Sequence, residues 1–203
     1  MDNYLVARDR ARKDFLQRDH GSLDKKPGVH RNSDGLTFLF LGTKATVNLK
    51  NGEITFQWEN KIWEADFSET VSVYDWLCDS KPQAIASGEF CPVHSLPGVY
   101  VRGSGLSMSP QSLAEAIDRK PEIFSKACEA LGGRSLPLGD ISYEIPVVPG
   151  LTMALKFYHR DEDFPPSLTI LWDKNTLQFV RYETIYYIAG ALCQRLEWIM
   201  GCL

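Results

Sequence analysis

Acidic side chains gather in the last third of the chain, where Asp161, Glu162 and Asp163 are adjacent and Asp173 follows them. Divalent cations such as Mg²⁺ and Ca²⁺ bind several oxygen ligands at once. The pattern therefore indicates a ligand or cation site at Asp161, Asp163 and Asp173. The alternative is that the acidic run is a solvated turn between two strands.

A glycine-rich stretch, Arg102, Gly103, Ser104 and Gly105, precedes a predicted helix. Exposed backbone N–H groups at a helix start can hold a phosphate or a carboxylate. The dinucleotide-binding fingerprint is absent, because Met108 stands where its third glycine belongs, and no Lys-Ser or Lys-Thr pair of a P-loop follows. The stretch indicates either a small-anion site or an ordinary turn.

Cys91 and His94 have the spacing of a metal-ligand pair, but zinc requires two further ligands. Cys78, Cys128 or His159 would have to approach them in the folded chain. The alternative is that Cys91 and His94 are unrelated loop residues. No cofactor follows from the sequence.

Nucleophilic catalysis has little support, because neither Ser87-Gly88 nor Ser104-Gly105 forms a G-x-S-x-G motif. A cysteine could pair with one of the four histidines, but no local pattern favours one. Whether the protein is an enzyme stays open.

The composition is that of an ordinary globular chain, with 203 residues, 44% hydrophobic and 24% charged. A formal net charge of −4 argues against a nucleic-acid or anionic-membrane partner, since both need a concentrated basic surface. Five widely spaced cysteines argue against a secreted disulfide scaffold. Without a signal-peptide pattern or an apolar run long enough to span a bilayer, we expect a soluble cytoplasmic protein.

Alternating apolar residues predict antiparallel strands within Leu36–Phe67 and Ile141–Asp173, with Asn51-Gly52 as the clearest hairpin turn. A helix pair is predicted over Pro110–Leu131, and a long helix with one broad apolar stripe over Tyr182–Met200. The expected fold is α+β, with antiparallel sheets covered by the long C-terminal helix and the central helix pair.

Shorter signals predict where the other helices lie. A helix over Ser72–Cys78 is expected to be capped by Ser68 or Ser72, and the helix after Pro110 by the Ser109 hydroxyl. The segment 80–98 is predicted to be mainly loop, and Val99–Arg102 a short strand.

The N-terminal segment is predicted to be peripheral. Asn3–Arg18 has a narrow apolar stripe, formed by Tyr4, Ala7, Ala11 and Phe15, and Asp19–Asp34 reads as an aperiodic connection. We therefore expect residues 1–34 to be a helix and linker and residues 35–203 a single α+β domain. The stripe predicts a protein partner or a homo-oligomer contact.

The end of the chain resembles the uncharacterised prokaryotic family called domain of unknown function 3786 (DUF3786). The likeness lies in a short apolar strand at Leu151–Phe157, an acidic turn followed by Phe164-Pro165, a strand ending at Asp173, and a helix after Glu183. The family has no assigned reaction. Some relatives are associated with iron–sulfur and corrinoid-type anaerobic proteins, but this chain has no tight cysteine cluster that would carry such a function over.

Three functions are compatible with these features. The first, which we favour, is a non-catalytic binding or accessory module, with a link to anaerobic metal-cofactor metabolism implied by the resemblance alone. The second is a small-molecule enzyme with an anion or metal site near residues 102–105 or 161–173. The third is a homo-oligomeric interaction protein that uses the N-terminal helix.

Overall fold

The computed structural model of the protein describes residues 3–99 and 108–203. Within these ranges the chain forms five α-helices and two five-stranded antiparallel sheets. The predicted α+β class is confirmed. The predicted strand at Val99–Arg102 and the glycine-rich stretch at 102–105 lie outside the described residues, apart from Val99.

The first sheet is a simple meander in which each strand pairs with its neighbour along the chain. Its strands are β1 (His30–Arg31), β2 (Gly35–Phe40), β3 (Thr43–Asn48), β4 (Ile54–Trp58) and β5 (Lys61–Glu64). Every second residue of β3 and of β4 faces the core, as the alternation predicts. At the predicted turn Gly52 has a φ of +73°, a conformation that favours glycine.

The second sheet contains the strands predicted at the end of the chain and two short edge strands that the sequence did not reveal. Its spatial order is β6-β10-β9-β8-β7. The bounds are β6 (Phe90–Cys91), β7 (Arg134–Ser135), β8 (Ile141–Val148), β9 (Leu151–Tyr158) and β10 (Ser167–Asp173). The Leu41 N–H donates to the Val147 carbonyl at 2.8 Å and links the end of β2 to β8.

The long C-terminal helix α5 (Tyr182–Cys202) packs against α2 (Phe67–Asp79) and α4 (Pro121–Ala130), and α3 (Gln111–Arg119) packs against β10. The predicted apolar stripe of α5 is confirmed, because each of its members is buried. These members are Ile185, Ile188, Ala189, Leu192, Leu196 and Ile199. One hydrophobic core runs through both sheets and the helices.

Two predicted helix caps are wrong. Helix α2 starts earlier than predicted, with Asp66 as its N-cap in a capping box with Glu69, so two backbone N–H groups are satisfied reciprocally. Ser109 lies before α3, but its hydroxyl donates to the Leu168 carbonyl at 2.6 Å instead of capping the helix. In the first case another residue provides the cap, and in the second the Leu168 carbonyl competes for the side chain that local sequence favoured.

The N-terminal helix α1 (Asn3–Leu16) contacts α2. The Phe15 ring is buried and stacks on Tyr74, with ring centroids 4.2 Å apart, whereas Tyr4 at the other end of the stripe is largely exposed. The connection after α1 is more ordered than the prediction of an aperiodic linker. It contains a 3₁₀ turn at Leu23–Lys25 and strand β1, and it buries Leu23 and Val29 in the common core.

Candidate functional site

The connection after α1, the C-terminal end of α2 and the β8–β9 turn enclose a cavity of about 510 Å³. We call it the basic cavity, because four cationic side chains line it and Asp19 is the one acidic residue among its lining residues. The cationic residues are Arg18, Lys25, Lys26 and Lys81. Aromatic and thiol groups complete the wall, among them Trp76, Cys78 and Phe179.

A tight turn holds Lys26 at this cavity. Pro27 and Gly28 occupy its two central positions, and the Val29 N–H closes it by donating to the Lys26 carbonyl at 3.1 Å. Gly28 has a φ of +74°, as the third position of a type II turn requires. A Cβ on Gly28 would lie 2.7 Å from the Cβ of Pro149, so only glycine allows the turn to approach the β8–β9 connection this closely.

Lys26 has an unusual environment for a lysine. Its Nζ donates to the Ser80 hydroxyl, and it makes no ion pair with any residue between 3 and 99 or between 108 and 203. Burial lowers the pKa of Lys26, an effect opposed by nearby Cys78 and Asp79. The Lys26 ammonium is thus half-buried and forms no ion pair within the described residues, although the Asp79 carboxylate is near enough to oppose the lowering of its pKa.

The other charges around the basic cavity divide into paired and unpaired groups. Arg18 donates to Asp79 at 2.7 Å, and Arg181 also binds Asp79, so this carboxylate is already shared by two guanidinium groups. Lys25 and Lys81 are exposed and form no ion pair within the described parts of the chain. Exposed cations without an ion-pair partner can bind the carboxylate or phosphate group of a ligand.

Cys78 lies beside these cations. Burial raises the pKa of the Cys78 thiol, although Arg18 and Lys26 oppose that effect. The thiol is therefore protonated at neutral pH and is a weak nucleophile there.

The acidic turn predicted as a ligand site is held by its own side chain. The Asp161 Oδ1 accepts the N–H groups of Asp163 at 2.9 Å and Phe164 at 2.7 Å. Asp161 precedes β10 and Asp173 ends it, so the fold places these two predicted ligands at opposite ends of one strand.

Asp173 is buried, and its carboxylate is fully engaged by backbone. It accepts the N–H groups of Ser87 at 2.9 Å, Gly88 at 2.7 Å and Asn175 at 2.8 Å. These bonds fasten the loop before β6 to the end of β10.

The structure places Cys91 and His94 in different surroundings. Cys91 is buried in β6, opposite Trp172, whereas His94 is exposed on a 3₁₀ turn at Val93–Ser95. Among residues 3–99 and 108–203, no group of three or more His, Cys, Asp or Glu side chains is arranged to hold a metal ion.

Sequence reasoning did not identify a histidine–carboxylate pair next to the acidic turn. The Nδ1 of His159 lies 2.9 Å from Oδ1 of Asp118, and this hydrogen bond holds the pKa of Asp118 below its usual range. His159, Arg160 and Asp161 line a second cavity of about 650 Å³. Asp118 lies on α3, far away in sequence, so no local motif could reveal the pair.

A buried ion pair links α5 to α2. Arg195 donates to Glu69, to the Phe40 carbonyl at 2.9 Å and to the Thr43 hydroxyl at 2.9 Å. The guanidinium also lies 5.0 Å from the ring centroid of Phe56. An adjoining cleft of about 660 Å³ is lined in part by Trp63 and Trp198. Because Arg195 is satisfied by the protein itself, we assign it a structural role.

The basic cavity was missed because its three lysines come from the segment interpreted as a linker and from a loop after α2. The local signals were Lys25-Lys26-Pro27-Gly28 and Lys81-Pro82, each a charge beside a turn residue. Neither signal indicates by itself that the two segments meet.

Comparison with known proteins identifies the family. The model of the family described as Domain of unknown function (DUF3786) matches residues 19–195. The chain belongs to the DUF3786 family. This match confirms the resemblance found at the end of the chain, and it includes every cationic residue of the basic cavity except Arg18.

No curated protein and no solved structure shows significant similarity to the chain. In the part of this DUF3786 protein that the structure describes, none of the helices has the length and apolarity needed to cross a bilayer.

Proposed function

We propose that this DUF3786 protein is a binding module for a small anionic molecule, which it holds in the basic cavity through carboxylate or phosphate oxygens. This is the binding-module function favoured by the sequence, placed at a site that the sequence did not indicate. The observation that carries the proposal is the set of three lysines, Lys25, Lys26 and Lys81, that face one cavity without a carboxylate partner among the described residues.

The cavity's form also supports a small ligand. Its volume of about 510 Å³ falls within the range of ligand pockets, which is roughly 300–1,000 Å³. Its lining combines four cationic side chains with apolar residues, among them Trp76, Leu77 and Phe179. Such a site suits a molecule with one anionic group and a short carbon skeleton.

Binding is tested by thermal unfolding and isothermal titration calorimetry with inorganic phosphate and with malonate, at constant ionic strength. A ligand that binds only the folded state raises its unfolding temperature in a concentration-dependent way. We expect saturable binding of at least one anion to the wild-type protein. The double variant Lys26→Met/Lys81→Met should lose the saturable signal.

A matched control removes two positive charges elsewhere. Lys13 and Lys126 are exposed and lie outside the basic cavity. The variant Lys13→Met/Lys126→Met should bind the anions as the wild type does. Equal loss in both double variants would mean that net charge, not the cavity, governs binding, and no saturable binding by the wild type would refute the proposal.

The remaining sequence-based expectations stay predictions. They include a cytoplasmic location, the lack of a nucleic-acid partner, an oligomer contact through α1 and the link to iron–sulfur or corrinoid metabolism. The ligand and cation candidates at Asp161, Asp163, Asp173, Cys91 and His94 also stay predictions, as does the anion candidate at 102–105.

A further inference from the structure

Lys26 differs from the other lysines of the basic cavity in its surroundings. Lys25 and Lys81 are exposed, whereas Lys26 is half-buried and its Nζ is hydrogen-bonded to the Ser80 hydroxyl. The Lys26–Val29 turn and the contact of Gly28 with Pro149 hold its backbone in place. A primary amine that is fixed, partly desolvated and open to a cavity can act as a nucleophile as well as a charge.

We propose that Lys26 forms an imine with the carbonyl group of an anionic carbonyl compound, of the 2-oxo acid class, held in the basic cavity. This inference rests on the proposed anion-binding function and names the chemistry of the same site. Lys25 and Lys81 would bind the carboxylate, and Lys26 would meet the neighbouring carbonyl carbon.

The reaction is a condensation that needs no oxidant or reductant. The unprotonated Nζ attacks the carbonyl carbon, the C=O π bond breaks, and one proton passes from the nitrogen to the oxygen to give a carbinolamine. The nitrogen then loses its remaining proton, the hydroxyl group leaves as water after protonation, and a C=N bond forms. The Ser80 hydroxyl, already hydrogen-bonded to Nζ, is placed to pass protons between nitrogen and oxygen.

Two properties of the site favour this chemistry. Because burial lowers the pKa of Lys26, a larger share of its amine is unprotonated at neutral pH than for an exposed lysine. The neighbouring Cys78 does not compete for the carbonyl carbon, because burial raises the pKa of its thiol and keeps it protonated.

The test is reductive trapping. The full chain is incubated with pyruvate and sodium cyanoborohydride at neutral pH, digested, and the carboxyethylated lysines are located by mass spectrometry over a time course. We expect Lys26 to be modified several-fold faster than Lys25, Lys81 and Lys126. The variant Lys26→Arg keeps the charge but cannot form the imine, and it should lose the fast phase. Acetone, which has a carbonyl but no anionic group, should give a much smaller preference for Lys26 than pyruvate does.

Failure of this inference is distinguishable from failure of the proposed function. Saturable binding of phosphate or malonate with uniform labelling of all lysines would refute the imine and leave the anion site standing. An equal preference for Lys26 with acetone and with pyruvate would show a reactive amine without an anion site and would overturn the inference as stated.

Discussion

Arg195 and Lys26 are two cations removed in part from water, and the protein treats them in opposite ways. Arg195 is 4% exposed and donates to a carboxylate, a backbone carbonyl and a hydroxyl, with aromatic rings around it. Lys26 is half-buried and donates to one neutral hydroxyl. The charge of Arg195 is paired within the protein, and the charge of Lys26 can still be paired by a ligand.

Whether a partly buried cation is paired within the protein indicates its role more clearly than its charge or its burial alone. Removing a buried ion whose hydrogen bonds are complete destabilises the fold, mainly because its partner is then left buried and unpaired. A cation that faces a cavity without a counter-ion contributes little to folding, but it can be paired by a ligand. The comparison predicts large stability effects at Arg195 and ligand effects at Lys26.

Arg195→Met should have the largest effect on stability. The substitution leaves the Glu69 carboxylate buried without its partner and the Phe40 carbonyl and Thr43 hydroxyl without a donor. We expect a loss of about 3–5 kcal/mol in the free energy of unfolding, measured by urea denaturation. Adding Glu69→Gln should restore part of that loss, because it removes the orphaned charge. A single variant as stable as the wild type would contradict the structural role.

Asp173→Asn should have an intermediate effect. In the wild type the carboxylate accepts several backbone N–H groups, such as that of Gly88 at 2.7 Å. The amide of the variant keeps one acceptor oxygen, but its NH₂ group faces one of these N–H donors and cannot accept from it. We expect a loss of about 1–3 kcal/mol and faster hydrogen exchange at Ser87 and Gly88. Asp163→Asn, at an exposed position of the acidic turn, is the control and should change neither quantity.

Lys26→Met should leave stability almost unchanged in the absence of ligand. Methionine keeps much of the apolar stem, and the lost ammonium has no ion-pair partner within the described residues. We expect the free energy of unfolding to change by less than about 0.5 kcal/mol. A loss as large as that of Arg195→Met would show that Lys26 is structural and would remove the contrast between the two cations.

Asp118→Asn should have the smallest effect, a small loss of stability that is present at neutral pH and disappears in acid. The hydrogen bond from His159 holds the pKa of Asp118 below its usual value of 3.8. The carboxylate therefore contributes stability that is present above that value and is lost as pH falls through the lower folded-state pKa. We expect the wild type to lose its advantage over the variant as pH falls below about 4 in a thermal-unfolding series. A constant difference at all pH values would exclude ionisation of Asp118 as its cause.

Long patterned segments made most of the fold predictable. The apolar stripe of α5 and the alternation in β3 and β4 each predict which residues face the core, and the structure confirms these predictions. The two-residue strands β1, β6 and β7 were not predictable, because such short strands carry no periodicity and form only where a neighbouring strand offers hydrogen bonds.

Local motifs did not indicate the basic cavity. Asp173 stood out as an acid at a strand end, yet its oxygens are engaged by three backbone N–H groups. Lys26 did not stand out, because a lysine in a turn is ordinary until its neighbours are known. What decides whether a polar group is available is the set of partners around it, and most of those partners are distant in sequence.

The amino-acid sequence by itself determined the α+β class, the long strands, the C-terminal helix and the family, because each depends on residue order along one segment. Tertiary structure decided which charges are paired. Arg195 meets Glu69 and the β2–β3 turn, and Lys26 meets Ser80 in the lining of the basic cavity, only when the chain has folded. The energy of an ion pair depends on the distance between its charges and on the exclusion of water around them, and residue order alone gives neither quantity.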